Sequence, residues 1–287
     1  VLHDPSSATS AELLAAFEAQ VRQDRTPPHE GWVSEYTGPV LRSTAPAWTG
    51  RGGGIFWSGL GDLRPAEVDA VVAEQVAYFT ALGRPFEWKV YGHDLPGDLP
   101  LRLVAAGLSA EEEEALVIGE VAVVAEACAG AAPPPEITVR EARGSDFAGI
   151  TALKESVWGG SGATMTAELQ AEKDADPDAL SIAVAVAPGR AGSADPSDGV
   201  VVCAAWIRFH AGTQFASLWG GTTLPQWRRR GIYRTLVARR AQQARERGYR
   251  YLQVDASTES RPILERLGMH VVSSTTPYVW PPPGAGG

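Results

Sequence analysis

The chain has 287 residues, 44% of them hydrophobic and 21% charged, with a net charge of −9. That length and apolar content supply the core of two domains of ordinary size, and they exclude a fibrous or wholly disordered protein. No apolar run approaches the roughly 18 residues that cross a bilayer, so no membrane partner is expected.

The charge is unevenly shared. Residues 1–135 carry 8 basic and 19 acidic side chains, whereas residues 136–287 carry 17 and 15. An acidic half repels a phosphate backbone, so nucleic acid is not an expected partner; the acidity chiefly reads as a means of solubility and only mildly favours a cationic or amine-bearing substrate. Cys128 and Cys203 lie in Ala/Val-rich surroundings and read as small buried hydrophobes of a reducing compartment. The five histidines show no metal-ligand spacing. The N-terminal residues lack a basic stretch followed by an apolar one, and the expected location is cytoplasmic.

In chain order, Leu13, Leu14, Phe17 and Val21 mark one face of a helix over residues 10–24, with Ser10 as its N-cap, ended by Thr26-Pro27-Pro28. Strands separated by Gly and Pro follow over residues 31–60, broken by the loop or hairpin Gly50-Arg51-Gly52-Gly53-Gly54. Pro65 opens a strong helix whose stripe runs Val68, Val71, Val72, Val76, Phe79. Next come the strand 86–91, a short helix over 99–106 and Gly107-Leu108. The run Glu111 to Glu114 reads as a solvated turn, and residues 115–128 as a strand with a short extension. The Pro-rich segment 129–135 reads as a stiff linker.

Beyond it, strand 137–140 leads to Ser145-Asp146, which caps a helix ending at Val157-Trp158. Gly159-Gly160-Ser161-Gly162 forms a loop, and a further helix starts at Thr166. Strands are predicted at 181–186, 199–209 and 214–219, with a polar excursion over 188–198. The order helix, Gly, strand, loop, short helix, Gly, strand occurs twice, over 64–121 and 229–280, which implies an internal duplication. Gly59-Leu60-Gly61-Asp62 stands in the first copy where the second has arginines, so the first copy is not expected to bind an anion.

The most informative stretch is Gly220 to Gly248. Nine arginines lie between Arg228 and Arg250 against one acid, Glu246, at and beyond the predicted start of a long helix. Helix N-termini offer unpaired N–H groups and partial positive charge, which suit a phosphate. Neither the Gly-Lys-Ser/Thr ending of a P-loop nor Gly-x-Gly-x-x-Gly is present. Leu224 to Arg234, followed by the strand 249–255 and by Ile263 to Met269, resembles the coenzyme A loop and downstream elements of the GNAT N-acetyltransferase superfamily. Arg228 and Gly231 match that family's Arg-x-x-Gly pattern, and Tyr233 stands where the family has a small residue.

The resemblance implies an α/β (α+β) fold of two GNAT-like domains, each a mixed, mostly antiparallel sheet flanked by helices. Residues 1–128 form a degenerate copy without a cofactor loop, 129–135 the linker, and 136–287 the acetyl-CoA-binding domain. It also implies a cofactor contact from Arg228 and backbone contacts from Arg229, Arg230, Gly231, Ile232, Tyr233 and Arg234 to the pyrophosphate. Gly221, Thr222 and Thr223 would meet the pantetheine arm, with Ser257 as a further contact. The implied activity is transfer of acetyl from acetyl-CoA to a primary amine of a small molecule or peptide, by a monomer or homodimer.

The acid and base are not identified. The strand before the loop holds no carboxylate, and Leu264 stands where many family members have a tyrosine. Asp255 and Tyr278 remain as candidates beside structural roles, as do Trp158 and Met165 for lining an acceptor pocket. Two other readings stay open: an inactive acyl-CoA-binding sensor or interaction protein, and transfer of another acyl group or to another acceptor.

Overall fold

A computed structural model describes residues 8–27, 31–47, 52–160, 162–189 and 199–281, with the Thr164 side chain outside the description. Pro28, Gly50, Arg51, Ser161 and residues 190–198 of the polar excursion, all invoked above, lie outside the described residues. The first helix, α1 (Ser10–Phe17), is capped one residue earlier than expected. Thr9 and Glu12 form a reciprocal capping box, because Glu12 stands at the position from which a carboxylate reaches back to the cap. A π-helical turn, Glu18–Arg22, continues it.

Strands β1 (Val33–Thr37), β2 (Val40–Thr44) and β3 (Gly53–Ser58) precede α2 (Pro65–Leu82), which has Pro65 in its first turn and ends on left-handed Gly83. Then come β4 (Phe86–Tyr91), α3 (Leu99–Ala105), β5 (Ser109–Ala110) and β6 (Glu114–Glu120). Val121–Ala127 is a helix, α4, where an extension of the strand was expected; burial of Val121 and Val124 at helical spacing explains it. There follow β7 (Thr138–Glu141), α5 (Phe147–Trp158), α6 (Ala163–Ala175), β8 (Leu180–Ala187), β9 (Val200–Phe209), β10 (Phe215–Thr223), α7 (Ile232–Glu246), β11 (Tyr251–Ala256), α8 (Arg261–Arg266) and β12 (His270–Trp280). No helix among the described residues is long and apolar enough to cross a membrane.

The chain divides into two compact units. The N-terminal unit takes residues 8–117 with 255–262 and the C-terminal segment from Val271. Its strands run β1-β2-β3-β4-β12, with β5 on β12. Only the β3–β4 pair is parallel, joined through α2, and the pairings of β1 with β2, β2 with β3, β4 with β12 and β5 with β12 are antiparallel. One face of β4 sends Phe86, Trp88 and Val90 into a core with Val68, Val72 and Phe79 of α2 and Leu99 and Leu103 of α3. Residues alternate across a strand, so Glu87, Lys89 and Tyr91 share the other face. In register there with Val279, Pro277 and Thr275 of β12, they form a polar surface on which Phe17 of α1 packs against Tyr91.

The C-terminal unit takes residues 118–254 and 263–270. Its strands run β11-β10-β9-β8-β7. Again one pair is parallel, β10 with β11, joined through α7, and the others are antiparallel. Each unit therefore contains one β-α-β crossover in an otherwise antiparallel arrangement, as the duplicated order in the sequence leads one to expect. Ile232 and Leu236 of α7 pack with Ala183, Val202 and Ala205 on one sheet face. Ile150, Leu153 and Leu169 of α5 and α6 pack with Ile182, Val184 and Trp206 on the other.

Candidate functional site

The site begins as a defect in β10. Its pairing with β9 shifts by one residue between Trp219 and Thr222, so Gly220 and Gly221 bulge out of the ladder. Gly220 has φ of 70°, and a Cβ there would lie 2.0 Å from the Trp206 ring. Gly221 leaves room for Tyr233, whose ring a Cβ would meet at 2.5 Å. This accommodates the large side chain at a position where the family pattern has a small one. Beyond the bulge, Trp158 Nε1 donates to Thr222 Oγ1 at 3.1 Å, and Arg228 Nε donates to the Thr223 carbonyl at 3.3 Å, tying loop to strand.

After a single 3-10 turn, Pro225–Trp227, the exposed residues Arg228 to Gly231 lead into α7. Arg229 (φ 62°) and Gly231 (φ 79°) are both left-handed. For arginine this costs about 1–2 kcal/mol, and such turns aim successive N–H groups into a concavity suited to an anion. Thr235 N–H is the first in the helical ladder, donating to the Gly231 carbonyl at 3.0 Å. The N–H groups of Ile232, Tyr233 and Arg234 stand before it, at the positive end of the helix dipole.

The crossover helix of the other unit behaves differently. At the start of α2, Glu67 accepts from Arg64 N–H at 2.8 Å, so that helix carries its own anion. At the start of α7 there is no side-chain cap and no acidic residue in the first turn. The two crossovers thus differ where an external phosphate would discriminate between them.

The arginine side chains divide the work. Arg230 pairs weakly with Glu136 at 3.7 Å and lies over Trp227, while Arg234 donates to the Ala127 carbonyl at the end of α4. Arg240, one of the nine arginines, is 1% exposed. It donates to the carbonyls of Leu236, Trp206 and Trp219, anchoring α7 to both strands flanking the bulge. Burial lowers its affinity for a proton, and the same burial raises that of the neighbouring Tyr233 phenol, with Arg240 opposing. Burial also pushes the Cys203 thiol up to about 11, so it is an inert neighbour of Thr223 Oγ1, 3.1 Å away.

The remaining candidates lie in the N-terminal unit. Asp255 is tied to Lys89 Nζ through Oδ2 at 2.5 Å, and its buried Oδ1 has no partner among the described residues. Burial works against the Lys89 charge, but Asp255, Tyr91 and Glu87 overcome it and hold the ammonium. Glu114 is a titratable group that the sequence reading placed in a solvated turn. It opens β6 half-buried instead of ending a solvated turn, and burial, then the Asp255 charge, push its carboxyl up to about 6. Nothing within Glu111–Glu114 distinguishes the fourth glutamate; only its place at the start of an apolar strand signals burial. Tyr278 belongs to the core around Trp88. Ser257 shapes the turn before α8, accepting from the N–H groups of Ser260 and Arg261.

A bulged strand, a loop with two left-handed residues and an uncapped helix start come together on one β-α-β crossover, an arrangement suited to a phosphate-bearing ligand. Residues 165–269 match the model of the Acetyltransferase (GNAT) family, a stretch that includes the bulge, the loop and α7. Similarity of fold extends further. A GCN5-related N-acetyltransferase from Kribbella flavida has a TM-score of 0.63 at 18% identity, over 98% of both chains. A tandem GNAT protein from the clavulanic acid biosynthesis pathway gives 0.57 at 11% identity, over 89% of this chain and 84% of that one. A conserved protein of unknown function from Staphylococcus epidermidis gives 0.63 at 8% identity, over 89% and 96%. No curated protein sequence matches the chain.

Proposed function

We propose that this protein is an N-acetyltransferase that moves an acetyl group from acetyl-CoA to a primary amine of a small molecule or peptide. The observation that carries the reading is the uncapped start of α7 behind left-handed Arg229 and Gly231. The N–H groups from Arg229 to Arg234 would hold the pyrophosphate, with Arg228 beside them. The bulged edge Gly221-Thr222-Thr223 would pair with the pantetheine amides, and Ser257 is retained as a further contact on the family pattern. Bound acetyl-CoA supplies an acyl carbon activated as a thioester.

An acceptor amine must lose its proton to become a nucleophile, which calls for a group that titrates near neutral pH. The sensor reading is favoured by one observation: β10 carries no carboxylate and Leu264 is fully buried, so two groups that many family members use are absent. The 129–135 segment stays the proposed linker between the duplicated halves 1–128 and 136–287.

Calorimetric titration with acetyl-CoA tests the loop. Wild type is expected to bind one equivalent and Gly231→Glu none, since the substitution puts negative charge and a side chain where phosphate would sit. A folded wild type that does not bind, or a variant that binds equally well, overturns the proposal. Product formation against a panel of primary amines then separates enzyme from sensor.

A further inference from the structure

Twenty-two of the 25 basic residues are arginine; the lysines are Lys89, Lys154 and Lys173. Lys89 is held by Asp255. Lys173 donates to the carbonyls of Pro177 and Leu180, with Glu141 at 3.5 Å. Lys154, on α5, makes no hydrogen bond or ion pair among the described residues. Its Nζ lies between two indoles instead, 5.9 Å from the ring centre of Trp158 and 5.7 Å from that of Trp206.

Both indoles belong to the bulge. Trp158 is hydrogen-bonded to Thr222, and Trp206 fills the space that a Cβ on Gly220 would need. The amine therefore stands one ring away from Gly220 and from Thr222, the bulge and the middle of the stretch proposed to pair with the pantetheine arm. Burial lowers its affinity for a proton and so raises its neutral share. A neutral lysine is a nucleophile, whereas an arginine stays protonated and is not one.

We propose that Lys154 is itself an acyl acceptor, a self-acetylation site beside the bulge of β10. This rests on the acetyl-CoA reading above. Neutral Nζ attacks the thioester carbonyl, the N–C bond forms, the C–S bond breaks, and coenzyme A leaves as a thiolate that takes up the proton released by the nitrogen. The product is a neutral amide beside the two tryptophans, with no ammonium left there.

The full chain is incubated with acetyl-CoA and followed by intact-mass spectrometry and peptide mapping, with acetyl-CoA binding measured in parallel by calorimetry. The expected result is a single acetyl group on Lys154, on neither Lys89 nor Lys173. It should be absent in Lys154→Arg, whose affinity for acetyl-CoA stays within about twofold, and absent in Gly231→Glu; Lys154→Gln replaces the first variant if that one melts early. Binding without modification at Lys154 overturns the inference and leaves the acetyl-CoA reading standing. Equal modification of wild type and Gly231→Glu overturns it too, since the lysine would then react from solution. A folded wild type that binds no acetyl-CoA ends both.

Discussion

The Glu114 carboxyl faces Asp255, Glu87 and Glu112, with Lys89 as a facing cation. Its folded pKa of about 6 lies above the ordinary value of 4.5. Between those pH values the folded chain holds a proton that the unfolded chain has lost, so stability falls as pH rises through that window, and the penalty persists above it. Glu114→Gln removes the penalty. The variant should match wild type at pH 4 and exceed it at pH 8 by at most about 1 kcal/mol, the exposure of the group limiting the gain. Melting curves at the two pH values measure this; a variant whose advantage is no larger at pH 8 than at pH 4 rules it out.

The β10 bulge is a property of an element, and two glycines measure it. Gly220 and Gly212 share a left-handed backbone, φ 70° and 77°, but a Cβ on Gly212 meets nothing within 4 Å whereas one on Gly220 strikes the Trp206 ring. Gly212→Ala should cost about 1–2 kcal/mol from backbone strain alone. Gly220→Ala should cost about 1–3 kcal/mol more, because Trp206 must leave its place. Urea unfolding of the two variants tests the difference, and equal costs would show that the ring yields without penalty. The contrast also explains what was legible beforehand. The loop from Arg228 to Gly231 is a local motif, readable because its residues are adjacent in the chain. The bulge depends on register against β9 and on a tryptophan fourteen positions away, and the burial of Arg240 on carbonyls of two strands; neither leaves a local mark. Helix α4 was missed because a seven-residue run of Val and Ala with one Glu suits either a strand or a helix until tertiary packing decides.

At the scale of the whole molecule, the repeated order of elements was legible, and each unit does hold a parallel crossover in an antiparallel setting. Composition could not show that the compact units fail to follow the chain. The Pro-rich segment 129–135 separates two halves in sequence, but the residues from Val271 on join the N-terminal unit, and α4 joins the C-terminal one. A chain cut to begin at Glu136 would keep Thr275 to Trp280 while losing β4, the strand with which they are in register. It would lose α4 as well, which packs on α7 and whose Ala127 carbonyl receives Arg234 beside the loop. An unpaired strand that carries Val279 and Trp280 is an edge prone to pair with other chains. The truncated chain should therefore be poorly soluble, unfold without a sharp urea transition and lose acetyl-CoA binding, while a full-length chain nicked within 129–135 keeps all three properties. Solubility, urea unfolding and calorimetry compare the two. A soluble, cooperatively folded 136–287 with binding intact would mean that the halves read from the sequence fold independently and that the strand from the C-terminal end joins its neighbours only afterwards.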